Sequence, residues 1–175
     1  MRKTFEITSK SESDTFELGN AIGRILKPGD TIFMLGELGS GKTRLAKGIV
    51  SAAVGIPQEE VVSPTFTLIN CFEGDFDVYH ADLYRLAPNQ VEGIGLEDAL
   101  DQGGALIVEW ADRINAFQED TLIVHIRFGE VPDSRIINLE WQADGTWRNR
   151  LESAARALFN NWKLPDDPSV GLGTE

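Results

Sequence analysis

Thr31-Ile32-Phe33-Met34-Leu35 runs directly into Gly36-Glu37-Leu38-Gly39-Ser40-Gly41-Lys42-Thr43, and this stretch decides the fold. Its first five residues are apolar or β-branched without alternation, the pattern of a strand buried on both faces of a parallel sheet. The next eight match G-x-x-x-x-G-K-[S/T] at every fixed position. Glycines let the backbone wrap a phosphate, while successive amides and a helix N-terminus supply partial positive charge. The ammonium of Lys42 reaches the β- and γ-phosphates, and Thr43 offers its hydroxyl to Mg2+. Beyond the loop, Leu45, Ile49, Val50 and Ala53 recur at helical spacing until Gly55 and Pro57 stop the helix. Strand, glycine-rich turn and helix in that order imply an α/β fold with a nucleoside triphosphate site. An ordinary glycine-rich turn is the blander reading, and the correct flanks argue against it.

Upstream, Lys3 to Thr8 alternates polar and apolar residues and reads as a short strand. Ser11 caps a helix whose stripe is Phe16, Leu18, Ile22, Ile25 and Leu26, ending at Lys27-Pro28-Gly29. Downstream, the break Ser63-Pro64 makes Glu60 to Asn70 read as strand edges around an ordered loop. Leu68 to Phe72 and Phe76 to Ala81 flank Glu73-Gly74-Asp75 as a hairpin. Glu92 to Leu100 reads as a helix weakened by Gly93 and Gly95, and Asp101-Gln102-Gly103-Gly104 as its ending turn. Ala105 to Trp110 is a second buried strand, and Thr121 to Phe128 and Arg135 to Trp141 are antiparallel neighbours. Thr146 to Lys163 carries Trp147, Leu151, Ala154, Ala155, Leu158 and Phe159 at helical spacing. Residues 1–163 thus form one domain, and the Pro-, Asp- and Gly-rich residues 164–175 a flexible tail.

The whole chain has 175 residues, 42% of them hydrophobic and 25% charged, a globular composition that rules out disorder for most of its length. Its 16 Lys and Arg against 28 Asp and Glu give a net charge of −12. Phosphate backbones are held chiefly by clustered basic side chains, so autonomous binding to nucleic acid or an anionic membrane is disfavoured. Arg24, Lys27, Lys42, Arg44 and Lys47 lie close in sequence, but on helices most of them read as solvated face residues. No apolar run approaches the ~20 residues that span a bilayer, and Met1-Arg2-Lys3 has no apolar region behind it, so a cytoplasmic protein is expected. The single cysteine, Cys71, excludes an internal disulfide and reads as buried or incidental.

A phosphate-binding loop also needs a carboxylate to hold the metal and a group that senses the γ-phosphate or places water. Glu109 ends the buried run Ala105 to Val108, where such an acid is expected, and Asp82 follows the strand-like Asp77 to Ala81. Thr65, in Ser63-Pro64-Thr65-Phe66, can act as a switch threonine toward the metal; as a bare tetrapeptide it is equally an ordinary turn. Asn-Lys-x-Asp, the guanine-reading motif, is absent. His80 and His125 are the only histidines and neither has a second ligand at metal spacing, with His125 read as strand packing. Trp141, Trp147 and Trp162 fall on apolar stripes and read as core.

Four segments together resemble the TsaE family of bacterial P-loop ATPases: Gly36 to Thr43, Val62-Ser63-Pro64-Thr65-Phe66-Thr67-Leu68, His80-Ala81-Asp82-Leu83-Tyr84-Arg85, and Val108-Glu109-Trp110. The resemblance spans roughly Phe5 to Leu139. It implies a P-loop NTPase-like three-layer sandwich with a central mixed, mostly parallel sheet between helices. It also implies ATP and Mg2+ as cofactors, and work with the proteins TsaB and TsaD in making threonylcarbamoyladenosine in tRNA. In such proteins TsaD performs the transfer and ATP hydrolysis resets the complex, so tRNA is met only indirectly; alone, a monomer or weak oligomer is expected. By resemblance, Gly36, Glu37, Leu38, Gly39, Ser40, Gly41, Lys42, Thr43 and Arg44 hold the nucleotide. Trp110 lies beside its pocket, and Arg135 is a further contact. Thr43, Thr65, Asp82 and Glu109 form the metal set, with Lys42, Asp82 and Glu109 catalytic. Two departures stand out: Ala111 replaces the family's usual proline after Glu-Trp, and Ser134-Arg135 replaces a Gly-Arg pair.

The alternatives are a stand-alone small-molecule P-loop kinase, which usually carries an arginine-rich lid not found here, and a non-catalytic nucleotide-sensing scaffold. ADP formation that depends on a small substrate but not on partner proteins identifies the first. Full function in Glu109→Gln identifies the second.

Overall fold

The computed structural model describes residues 1–114, 120–142 and 145–158. Along the chain lie β1 (Arg2–Ser9), α1 (Glu12–Arg24), β2 (Thr31–Leu35), α2 (Lys42–Val54), β3 (Ile69–Phe72) and β4 (Val78–Asp82). Then follow α3 (Leu96–Asp101), β5 (Ala105–Glu109), β6 (Thr121–Phe128), β7 (Arg135–Gln142) and α4 (Trp147–Leu158). The strands make one sheet in the order β1-β7-β6-β2-β5-β4-β3. Its centre, β6-β2-β5-β4, is parallel, and antiparallel pairs β1-β7, β7-β6 and β4-β3 close both flanks. The sheet is therefore the mixed one expected, with its parallel pairing concentrated where the strands are buried on both faces.

Side chains of a strand alternate between faces, so β2 feeds two cores. Ile32 and Met34 join Leu18 and Ile22 of α1, Leu45 and Ile49 of α2, and Trp147 and Leu151 of α4. Phe33 joins Ala81, Leu106, Val108 and Ala99 on the opposite face, where α3 packs. Trp141 and Trp147 are buried, as their stripes predict. Trp162 and the tail 164–175 lie outside the described residues.

The position of α2 is set by its contact with α1. A Cβ on Gly19 would lie 2.4 Å from Leu45 O, and one on Gly48 2.3 Å from Phe16 O, so the two backbones approach as only glycine permits.

Helix α1 starts as predicted, with the Ser11 hydroxyl accepting from Asp14 N at 3.0 Å, but ends at Arg24 rather than Lys27. The last turn closes with Ile25 N donating to Ile22 O and Leu26 N to Gly23 O, and a side-chain clasp secures the chain beyond it. Arg150 of α4 donates to Ile25 O at 2.9 Å and makes a two-pronged pair with Asp30, at 2.6 and 2.9 Å. Asp30 in turn accepts from Lys27 N at 2.7 Å. Breaking a mostly buried pair leaves an uncompensated charge, so Asp30→Ala is expected to lower unfolding free energy by about 3 kcal/mol in a urea titration.

Three local readings are corrected. The segment Glu60 to Leu68 holds no strand: a 3-10 turn at Gln58–Glu60 gives way to a loop closed by Leu68 N donating to Pro64 O at 2.8 Å, with Leu68 at φ +67. The helix read from Glu92 begins only at Leu96, because Gly93 and Gly95 adopt φ +84 and +90, outside helical space. The β3-β4 connection runs from Glu73 to Asp77, longer than a three-residue turn, since Phe76 packs against the core and Asp77 O accepts from Ala105 N.

Candidate nucleotide site

Strands β4, β2 and β5 are parallel neighbours, so their C-terminal ends open side by side at one edge of the sheet, where open α/β sheets bind ligands. From β2 emerges the glycine-rich loop, from β5 the carboxylate of Glu109, and from β4 that of Asp82. In the β4-β5 register Asp82 stands opposite Glu109. Gly36 turns the chain out of β2 at φ +154, and a Cβ there would lie 2.3 Å from Ile126 O.

Lys42, the first residue of α2, is buried. Its ammonium donates to Gly36 O at 2.6 Å and Glu37 O at 2.8 Å, and lies 3.9 Å from the centre of the Trp110 ring. Burial pushes its pKa below the ordinary lysine value, against the opposing pull of Glu109, Asp82 and Asp112. Trp110 has φ +59, which turns the chain sharply after Glu109, and its ring lies 4.9 Å from that of Tyr84.

Thr43 donates its hydroxyl hydrogen to Glu109 Oε2 at 2.8 Å, joining the loop to the acid at the end of β5. The other oxygen of Glu109 is 2.8 Å from His80 Nε2, with both side chains almost fully buried. Asp82 accepts from Tyr84 N at 2.9 Å through Oδ1 and from the Thr65 hydroxyl at 3.4 Å through Oδ2. The Ser63 and Thr65 hydroxyls are 2.8 Å apart. Thr43, Thr65, Asp82 and Glu109 are thus drawn together at the strand ends.

This donor set is all oxygen, the chemistry that suits Mg2+. Among the described residues no group of three or more His, Cys, Asp or Glu is arranged to hold a metal by itself. Two carboxylates and two hydroxyls beside a glycine-rich loop fit a cation that would take the rest of its ligands from phosphate and water.

Burial is the main cause that raises the Asp82 pKa, with Glu109 adding to it and the Tyr84 amide, His80 and Thr65 opposing. A folded pKa above the unfolded one means that ionisation costs more in the native state. That penalty is present above the folded pKa and vanishes below the unfolded one. Without metal, Asp82→Asn is therefore expected to be more stable than the parent near neutral pH, and the gap to narrow as pH falls through the carboxylate range. Paired urea titrations at the two pH values check this.

Two expected contacts are arranged differently from the rest. Arg44 points away from the loop, donating to Glu12 O at 3.3 Å and Gln58 Oε1 at 3.0 Å, and lies over Phe16. Its side chain ties α2 to its surroundings, leaving its backbone amide at the helix N-terminus. Arg135 braces the loop from outside, its Nε donating to Ser40 O at 2.9 Å, with its guanidinium over Phe128. Sequence reasoning gave no role to His80 or Tyr84. The spacing His80-x-Asp82 was the available signal, because residues two apart on a strand share a face.

Away from the site, His125 is half exposed and lies 3.7 Å from Glu140, a surface contact where packing was expected. Cys71 is exposed, with its thiol above the ordinary pKa through partial desolvation and Asp77, the opposite of an activated nucleophile. Among the described residues no helix is long and apolar enough to cross a membrane.

Comparison with known proteins identifies the family. A relative from Treponema pallidum, a tRNA threonylcarbamoyladenosine biosynthesis protein TsaE, is 36% identical over 121 residues, covering 68% of this chain and 88% of its own. The Rickettsia bellii protein of the same name is 33% identical over 132 residues, 74% of this chain and 90% of its own. The crystal structure of Bacillus subtilis YdiB superposes with a TM-score of 0.71 at 26% identity, over 90% of this chain and 97% of that one. The family model described as threonylcarbamoyl adenosine biosynthesis protein TsaE matches residues 9–143, a span that takes in every site residue above. The chain belongs to the TsaE family.

Proposed function

We propose that this chain is the ATP-hydrolysing subunit of an assembly with TsaB and TsaD that makes threonylcarbamoyladenosine in tRNA, and that its hydrolysis resets the assembly between rounds. The observation that carries the reading is the 2.8 Å hydrogen bond from Thr43 to Glu109, which couples a phosphate-binding loop to a buried acid at the adjacent strand end.

In this mechanism the amides from Gly36 to Thr43 and the N-terminus of α2 bind the phosphates, and Lys42 neutralises charge on the β- and γ-phosphates. Trp110 covers the lysine, and Arg135 holds the loop carbonyls from behind. Thr43, Asp82 and Glu109 would hold Mg2+, with Thr65 able to join them from the Ser63–Phe66 loop. When bound there, the ion would add positive charge beside the phosphoryl group. Glu109 orients the attacking water or the metal, and its burial keeps that carboxylate in one place. A net charge of −12 disfavours direct tRNA binding, so in this reading tRNA is bound by the partners rather than by this chain.

The test is a tRNA-modification assay with purified TsaB, TsaD, tRNA and the threonylcarbamoyl donor. With this chain present, product is expected to accumulate over many rounds; without it, or with Lys42→Ala, synthesis stops after about one. Equal accumulation in all three overturns the proposal.

A further inference from the structure

His80 is fully buried in β4, and the one hydrogen bond its ring makes among the described residues is to Glu109 Oε1 at 2.8 Å. Its Nδ1 is buried with no partner among the described residues. An unpaired acceptor in the interior is tolerated better than an unpaired N–H donor, so the tautomer that satisfies the geometry carries hydrogen on Nε2 and donates it to the carboxylate. Glu109 is then held from both sides: Oε1 by His80 and Oε2 by Thr43. A glutamate has three side-chain torsions, and two opposed hydrogen bonds reduce them to one orientation.

The strand register places His80 where this contact is possible. It pairs with Ile107 across β4-β5, two residues before the Asp82 and Glu109 pair, so its ring leans along the same face toward the carboxylate.

We infer that His80 is a positioning residue for hydrolysis, donating from Nε2 to fix the Glu109 carboxylate against the phosphate-binding loop. The inference rests on the proposed ATPase reading, and it adds a residue that touches neither nucleotide nor metal. Partners that orient a ligating group typically change activity by about 10- to 100-fold when removed.

Two variants of similar volume separate positioning from packing. His80→Leu fills the space without a donor, whereas His80→Gln returns an amide N–H. In the assembly with TsaB and TsaD, His80→Leu is expected to lower kcat about 10- to 100-fold with KM for ATP unchanged, and His80→Gln to recover most of the loss. Equal kcat in the two variants, or a loss in His80→Leu that falls on KM alone, overturns the inference.

A second readout is independent of activity. The chain has only two histidines, so a long-range 1H–15N histidine spectrum of the nucleotide-free protein is assigned by His125→Gln. His80 is expected as the Nε2–H tautomer, with a resonance that moves in Glu109→Ala. An Nδ1–H tautomer, or a resonance indifferent to Glu109, overturns the contact whatever the chain hydrolyses. The expected spectrum with no ATP turnover by the parent chain in the assembly with TsaB and TsaD overturns instead the proposed function, and the role in hydrolysis with it.

Discussion

Lys42→Ala is expected to lower ATP turnover in the assembly by at least about a hundredfold, and to weaken ATP binding as well, because the same ammonium meets the phosphates in the ground state and in transfer. Its position at the first turn of α2 allows one side chain to act on both. The fold is expected to survive the change. A buried ammonium carries a desolvation cost, seen in its lowered pKa, that alanine removes along with the hydrogen bonds to Gly36 O and Glu37 O. Turnover, a fluorescent-nucleotide titration and a thermal melt check the three parts. A variant that melts normally and still hydrolyses ATP at the parent rate contradicts the assignment of this loop.

Glu109→Gln separates chemistry from binding. Glutamine keeps the length of the side chain, and its amide can still meet Thr43 and His80, so the loop is expected to hold ATP with nearly parental affinity. What is lost is the negative charge that orients water or metal, an effect expected to lower turnover about 10²- to 10³-fold. The measurement is kcat beside the dissociation constant of a non-hydrolysable ATP analogue. Reduced kcat with retained affinity supports hydrolysis at this acid. Full tRNA modification despite absent hydrolysis supports nucleotide sensing alone.

How much of this was legible in the sequence follows from the range of each interaction. The loop from Gly36 to Thr43 and the buried runs of β2 and β5 are local patterns, and they were readable because one turn and its flanking strand and helix carry the whole signal. Glu109 could be read as the end of an apolar run. Thr65 and Asp82 were candidates from their local surroundings, strengthened by the resemblance, and the structure puts the Thr65 hydroxyl 3.4 Å from the Asp82 carboxylate.

What stayed hidden depends on pairing between distant segments. Arg135 reaches Ser40 O across 95 residues, and Arg150 reaches Asp30 across 120, distances over which periodicity says nothing. His80 and Glu109 meet only once β4 and β5 are in register. The misread helix start at Glu92 has a different cause: apolar spacing favoured a helix, but two glycines with positive φ delay it to Leu96. The end of α1 falls a few residues early because its last turn closes with tighter bonds, Ile25 N to Ile22 O and Leu26 N to Gly23 O, ahead of Pro28.

The central claim is a partner-dependent ATPase, and ATP turnover by the purified chain with Mg2+, alone and with TsaB and TsaD, tests it most directly. Lys42→Ala serves as the blank. Slow or negligible turnover alone that rises with the two partners is the predicted result. Partners that change neither nucleotide affinity nor turnover would contradict it.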